Sequence, residues 1–118
     1  MDNQAKIAAV HRYVEAFDRS DINIIKELYA DDATVEDPVG TDIHHGIDAI
    51  VAFYEGSLKN DIKLQLSGDP RCAGTEVAFP FQVNAGGMTI DVIDVFKFND
   101  AGKVISMRAF WGPDNVKS

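Results

Sequence analysis

The chain has 118 residues, 46% of them hydrophobic and 25% charged, with a formal net charge of −8. That length fits one domain over residues 1–118, and a chain of this size hides roughly two-thirds of its unfolded surface, enough for a core. The acidic balance and the lack of any basic run argue against nucleic acid and anionic membranes as partners.

No apolar run approaches a membrane span. A single cysteine, Cys72, leaves no internal disulfide and suits a reducing, cytoplasmic setting. The opening residues MDNQAK carry no basic-plus-apolar leader.

Residues 3–20 predict a first helix with Ile7, Val10, Val14 and Phe17 as its apolar stripe. Tyr13 lies beside that stripe. Asp21 predicts an N-cap for a second helix from about Ile22 to Ala30. Its apolar positions are Ile24, Ile25, Leu28 and Tyr29, and Asp31 and Asp32 end it. Thr34 to Asp37 is a short extended stretch running into Pro38, which keeps the residue before it out of helix. Asp37 therefore ends a strand at a stiff corner, DPVG. Such a corner is a common turn signal, and it also holds a carboxylate still. His44 and His45 fall in a loop. Neighbouring side chains point apart and no third ligand lies at metal spacing, so no metal is expected. Gly46 to Leu58 predicts a third helix with Ile47, Ile50, Val51, Tyr54 and Leu58 inward and Phe53 flanking them.

From Ile62 the period changes to two. Ile62, Leu64 and Leu66 alternate with polar residues, and a short segment around Cys72 follows the Gly68-Asp69-Pro70 turn. Val77, Phe79, Phe81 and Val83 then alternate over Thr75 to Asn84. Pro80 in that run predicts an edge strand or a bulge. Gly86-Gly87 signals a hairpin into Met88 to Asn99. The last strand runs from Lys103 to Trp111, with Ile105, Met107, Ala109 and Trp111 on one face. Three helices with one short strand, then a run of antiparallel strands, predict an α+β fold. Its helices pack on a curved, mostly antiparallel sheet that forms a cone with an apolar pocket.

The strand from Met88 carries the informative anomaly. Met88, Ile90, Val92, Asp94, Phe96 and Phe98 share one face, which their apolar majority turns inward. An ionised Asp94 there is costly unless paired or kept protonated. No Lys or Arg of the strand shares its face. The chain has no glycine-rich phosphate loop, no HExxH and no GxSxG. What remains is a set of carboxylates and tyrosines in apolar settings: Asp37, Asp94, Tyr13, Tyr29 and Tyr54. All three tyrosines fall on predicted helices, facing or bordering the core. A buried phenol needs a partner, met either by separate backbone groups or by one polar pocket shared with Asp94.

The segments HRYVEAF, ELYADDATVEDPVG, AFYEGSL, VIDVFKFNDAGKV and SMRAFWG resemble the bacterial ketosteroid isomerases over most of the chain. The resemblance implies the nuclear-transport-factor-2-like fold and a homodimer. By matching segments it places a general base on Asp37, and oxyanion-hole donors on Tyr13 and a protonated Asp94. Tyr29 and Tyr54 become supporting hydrogen-bond partners of Tyr13. Phe53, Phe81, Val83, Met107, Ala109 and Trp111 become expected substrate contacts. That family is itself the known example of a carboxylic acid kept neutral by an apolar site, so the neutrality of Asp94 is implied by resemblance. The hairpin Asn84-Ala85-Gly86-Gly87 departs from relatives that carry a bulkier pocket residue there, which bears on substrate size.

The implied activity transposes a double bond into conjugation with a steroid ketone, with no cofactor. Two alternatives remain: a non-catalytic module for an apolar ligand, and a polyketide-cyclase-like or epoxide-hydrolase-like enzyme. The latter needs a pocket His-Asp pair or an Asp-Arg-Asp cluster. By position, His11 and Arg108 face away from the pocket.

Overall fold

The computed structural model describes all 118 residues. Helix α1 (Asn3–Asp18) begins where the Asp2 carboxylate accepts a hydrogen bond from the Ala5 amide at 2.8 Å, satisfying a donor that the first turn leaves free. Its buried face is Lys6, Val10, Tyr13, Ala16 and Phe17. The helix is thus rotated from the expected stripe: Tyr13 sits at the centre of the face, and Ile7 and Val14 are only half-buried. Tyr13 there packs edge-to-face on Phe17, Tyr54, Phe79 and Phe96, and Lys6 shares that buried face. The aliphatic stem of Lys6 covers core while its ammonium donates to the Gly74 carbonyl at 2.6 Å.

Asp21 does cap α2 (Ile22–Leu28), accepting from the Asn23 amide at 3.0 Å. The helix stops two residues earlier than its spacing suggests. Tyr29 instead opens β1 (Tyr29–Glu36), so Asp31 and Asp32 are exposed positions of a strand, and Asp37 lies just beyond its end. His44 and His45 form a short strand, β2 (His44–His45), rather than a loop, paired antiparallel to β1. Gly46, at φ +85°, then turns the chain into α3 (Ile47–Leu58), a conformation that suits glycine.

The remaining chain is β3 (Lys63–Leu66), β4 (Arg71–Ala73), β5 (Glu76–Ala85), β6 (Met88–Phe98), β7 (Val104–Phe110), a single 3-10 turn at Pro113–Asn115, and β8 (Val116–Lys117). The sheet order is β2-β1-β7-β6-β5-β3, with β4 also on β5 and β8 also on β6. It is mixed and does not close. Every pairing is antiparallel except β1 with β7. The Gly86-Gly87 hairpin holds, joining Ala85 opposite Met88.

Three details depart from expectation. Pro80 lies in an interior strand; on one flank of β5 the partner changes from β4, at Ala78, to β3, at Phe81, and Pro80 falls in the gap. Ile105 sits at an irregularity between β6 and β7, so Val104, not Ile105, joins Met107 and Ala109 in the core. Met88 is exposed rather than inward, because β6 outruns the core at that end.

The core lies between the sheet's concave face and the helices. It is dominated by edge-to-face aromatics: Tyr13 on Phe96 at 5.2 Å and Phe79 on Phe96 at 4.9 Å between centroids. Each such ring contributes roughly 1.5–3 kcal/mol by leaving water. No helix is long and apolar enough to cross a membrane.

Candidate active site

Asp94 is held in the middle of β6 and is 1% exposed. Phe79 and Ala109 lie directly across it on the two flanking strands, and Val92 and Phe96 precede and follow it on the inner face. Burial pushes its carboxyl well above the usual carboxylate range. The charge of Asp37 adds to that rise, and the Tyr13 hydroxyl pulls the other way. Its Oδ1 has no hydrogen-bond partner. A buried polar atom in that state is costly in an idle protein.

Three elements bring the tyrosines together. Tyr13 comes from α1, Tyr54 from α3 and Tyr29 from the first residue of β1, so the last is not on a helix as its spacing suggests. The Tyr13 and Tyr54 hydroxyls are 3.1 Å apart, and those of Tyr54 and Tyr29 are 2.6 Å apart. All three rings are buried, and burial is the leading reason each phenol is pushed well above its ordinary value. The chain of hydroxyls therefore stays neutral, and it supplies donors to whatever lies beyond Tyr13.

Asp37 follows β1 at the Asp37-Pro38 bond, which is cis. It is half-buried, and Trp111 Nε1 donates to its Oδ1 at 2.8 Å. Its carboxyl is raised, first by burial; the Trp111 indole and the charge of His44 oppose that rise. The role of the indole was not legible in the sequence, which pairs Trp111 with a ligand rather than with Asp37. The two residues are adjacent because β1 and β7 run side by side and parallel, so the residues just past their ends emerge together.

These groups meet in one cavity of about 210 Å³, with 11 hydrophobic residues among its 14 wall residues. Tyr13, Tyr54, Asp37 and Asp94 all line it. Of the expected substrate contacts, Phe53, Phe81, Val83 and Trp111 line it as well. Met107 and Ala109 do not; both are buried behind the wall, next to Asp94 and Phe96 in the sheet. Tyr29 is also outside the wall, reaching the site through Tyr54. Phe17, Ser57, Ile62, Leu64, Ile90 and Val92 complete the lining, and sequence reasoning missed them as contacts. Ile90 and Val92 carried the available signal, since both share the inward face of β6 with Asp94. His11 and Arg108 are exposed, and neither reaches the cavity. No group of three His, Cys, Asp or Glu side chains is placed to hold a metal ion.

An α+β cone enclosing an apolar cavity with this polar end is the architecture of a known class. Residues 10–107 match the SnoaL-like domain family, and the chain belongs to it. Within that family it is ketosteroid-isomerase-like: it is 40% identical over 113 residues to a steroid delta-isomerase of Nocardioides simplex, covering 92% of this chain and 91% of that one. Among solved structures it is similar to the epoxide hydrolase/cyclase-like enzyme SalBIII, described for pyran ring formation in the polyether salinomycin. That likeness has a TM-score of 0.91 at 26% identity and covers 98% of this chain and 96% of the other.

Proposed function

We propose that this protein is a steroid delta-isomerase, converting a 3-oxo-Δ5-steroid to its conjugated 3-oxo-Δ4 isomer. The observation that carries this reading is the opening of Tyr13, Asp94 and Asp37 onto one apolar cavity, with the Asp94 Oδ1 free. Ionised Asp37 takes a proton from the carbon between the carbonyl and the double bond. The electron pair moves onto the carbonyl oxygen, giving a dienolate. The Tyr13 hydroxyl and protonated Asp94 donate to that oxygen as its charge grows. Asp37 then returns the proton to the far carbon of the original double bond, and the carbonyl re-forms. The donors are neutral because they are buried, and the base is ionised because it is wetter and held by an indole N–H.

The identity to a curated steroid delta-isomerase supports the same reading. The likeness to SalBIII supports a second one, cyclisation or epoxide opening, although that chemistry finds neither His11 nor Arg108 in the cavity. The deciding assay follows the ultraviolet absorbance of the conjugated ketone. Wild type should turn over a 3-oxo-Δ5-steroid, and Asp37→Asn should nearly abolish turnover while a phenolic steroid still binds. Tyr13→Phe should lower kcat by about 10²–10³ with little change in binding, the usual effect of removing one oxyanion donor. Folded wild type that binds but never isomerises would overturn the isomerase reading and leave a binding module or the cyclisation reading.

The reading includes a homodimer. Its support is the outer face of the sheet, where Ile93 and Phe110 are paired in register and are 49% and 40% exposed.

A further inference from the structure

On the concave side of the sheet, β5 and β6 face the helices with side chains in register pairs: Phe79 with Asp94, Phe81 with Val92, Val83 with Ile90, and Ala85 with Met88. Burial falls in that order. Asp94 is 1% exposed and Val92 6%; Val83 and Ile90 are half-buried, and Met88 is 40% exposed. The cavity is therefore closed at its polar end and open toward the hairpin. Val83 and Ile90 are its last wall residues on these two strands.

Beyond them nothing blocks the way out. Ala85 ends β5 with a single methyl group, and Gly86 and Gly87 make the turn. Apart from its chain neighbours, no atom lies within 4 Å of where a side chain on either glycine would begin. Met88 is an apolar side chain left in water, on the face of β6 that carries Ile90 and Asp94. A flexible thioether of this kind adapts to the shape of whatever packs on it.

A cavity of about 210 Å³ is smaller than the roughly 300–1,000 Å³ of sites that enclose most of a small ligand. A molecule of four fused rings, held by its ketone at Tyr13 and Asp94, therefore emerges past Val83 and Ile90. We infer that the end remote from the ketone lies on Ala85 and Met88, and that the site takes 3-oxo-steroids bearing an alkyl chain at that end. Met88 is then a specificity-determining contact for the chain. The inference rests on the ketone lying against Tyr13 and Asp94, as the isomerase reading has it. An alkyl chain suits this surface because Ala85 and Met88 are apolar, and the polar pair of the hairpin, Asn84 with Thr89, alternates to the other face.

The test compares cholest-4-en-3-one with androst-4-en-3-one, which lacks the chain, both delivered from cyclodextrin. Trp111 is the sole tryptophan and lines the cavity, so its fluorescence reads the binding of either without turnover. Wild type should bind both. Met88→Ser, at an exposed position, should weaken the chain-bearing steroid about tenfold more than the chainless one, which is the worth of about two buried methylene groups. Ala85→Trp, which fills the exit, should discriminate in the same direction. The Δ5 isomers of the same pair should follow the same order in kcat/KM. Rejection of the chain by wild type, or variants that weaken both steroids equally, overturns the inference. Chain-selective losses in a protein that turns over neither Δ5 ketone support it and sink the isomerase reading; full turnover with no change of preference in either variant does the reverse.

Discussion

The Asp94 carboxyl is enclosed by Phe79, Val92, Phe96 and Ala109, while Asp37 keeps an indole N–H and part of its surface in water. Two copies of one functional group thereby differ in how far their acidity is shifted, from their surroundings alone. For Asp94 this has a consequence in stability. Its carboxyl is raised in the folded state, so the native protein binds that proton more tightly than the unfolded chain does. The resulting contribution to stability is complete below the ordinary carboxylate range and is lost as pH rises toward the raised folded value. Asp94→Asn, neutral at every pH and similar in shape, should therefore melt higher than wild type at pH 8, and the gap should shrink toward pH 4. Differential scanning calorimetry across that range checks it; a constant or inverted gap would mean that Asp94 is ionised in the folded protein.

Among the elements, α1 is tied to the turn between β4 and β5 by a buried lysine. Lys6→Met keeps the stem against the core but removes the donor to Gly74. The expected loss is about 1 kcal/mol, read from the urea midpoint, with turnover unchanged. A larger loss would mean that the turn between β4 and β5 depends on this tie. Helix positions and strand alternation were legible wherever the pattern was local: the cap at Asp21, the stripe of α3, the hairpin at Gly86-Gly87 and the inward row ending in Phe98. Partners distant in sequence were not. Tyr29 continues the helical spacing of Leu28, yet it pairs with Val104 across the sheet, and no window around either residue contains that contact. β8 escaped notice because two residues, Val116 and Lys117, are strand only by lying beside Ile90 and Thr89. Asp94 announced itself because its anomaly was local, a carboxylate in an apolar row. The indole bond to Asp37 did not, since it joins residues brought together by tertiary structure alone.

For the molecule as a whole, the convex side of the sheet is the surface that stands out, through exposed Ile93 and Phe110. If copies pair there, sedimentation equilibrium should give two chains per particle. An Ile93→Lys, Phe110→Lys variant should then sediment as one chain with unchanged circular dichroism; a monomeric wild type would dismiss the dimer. The parallel seam between β1 and β7 acts on the same scale. It lets two distant stretches of chain leave the sheet side by side, one bearing a carboxylate and the other the indole that holds it. Slippage along the seam would part that couple long before it opened the core. The acidity of Asp37 is therefore a gauge of mechanical fit between two strands, and damage remote from the cavity would register first as a displaced titration curve, with the melting point still in place.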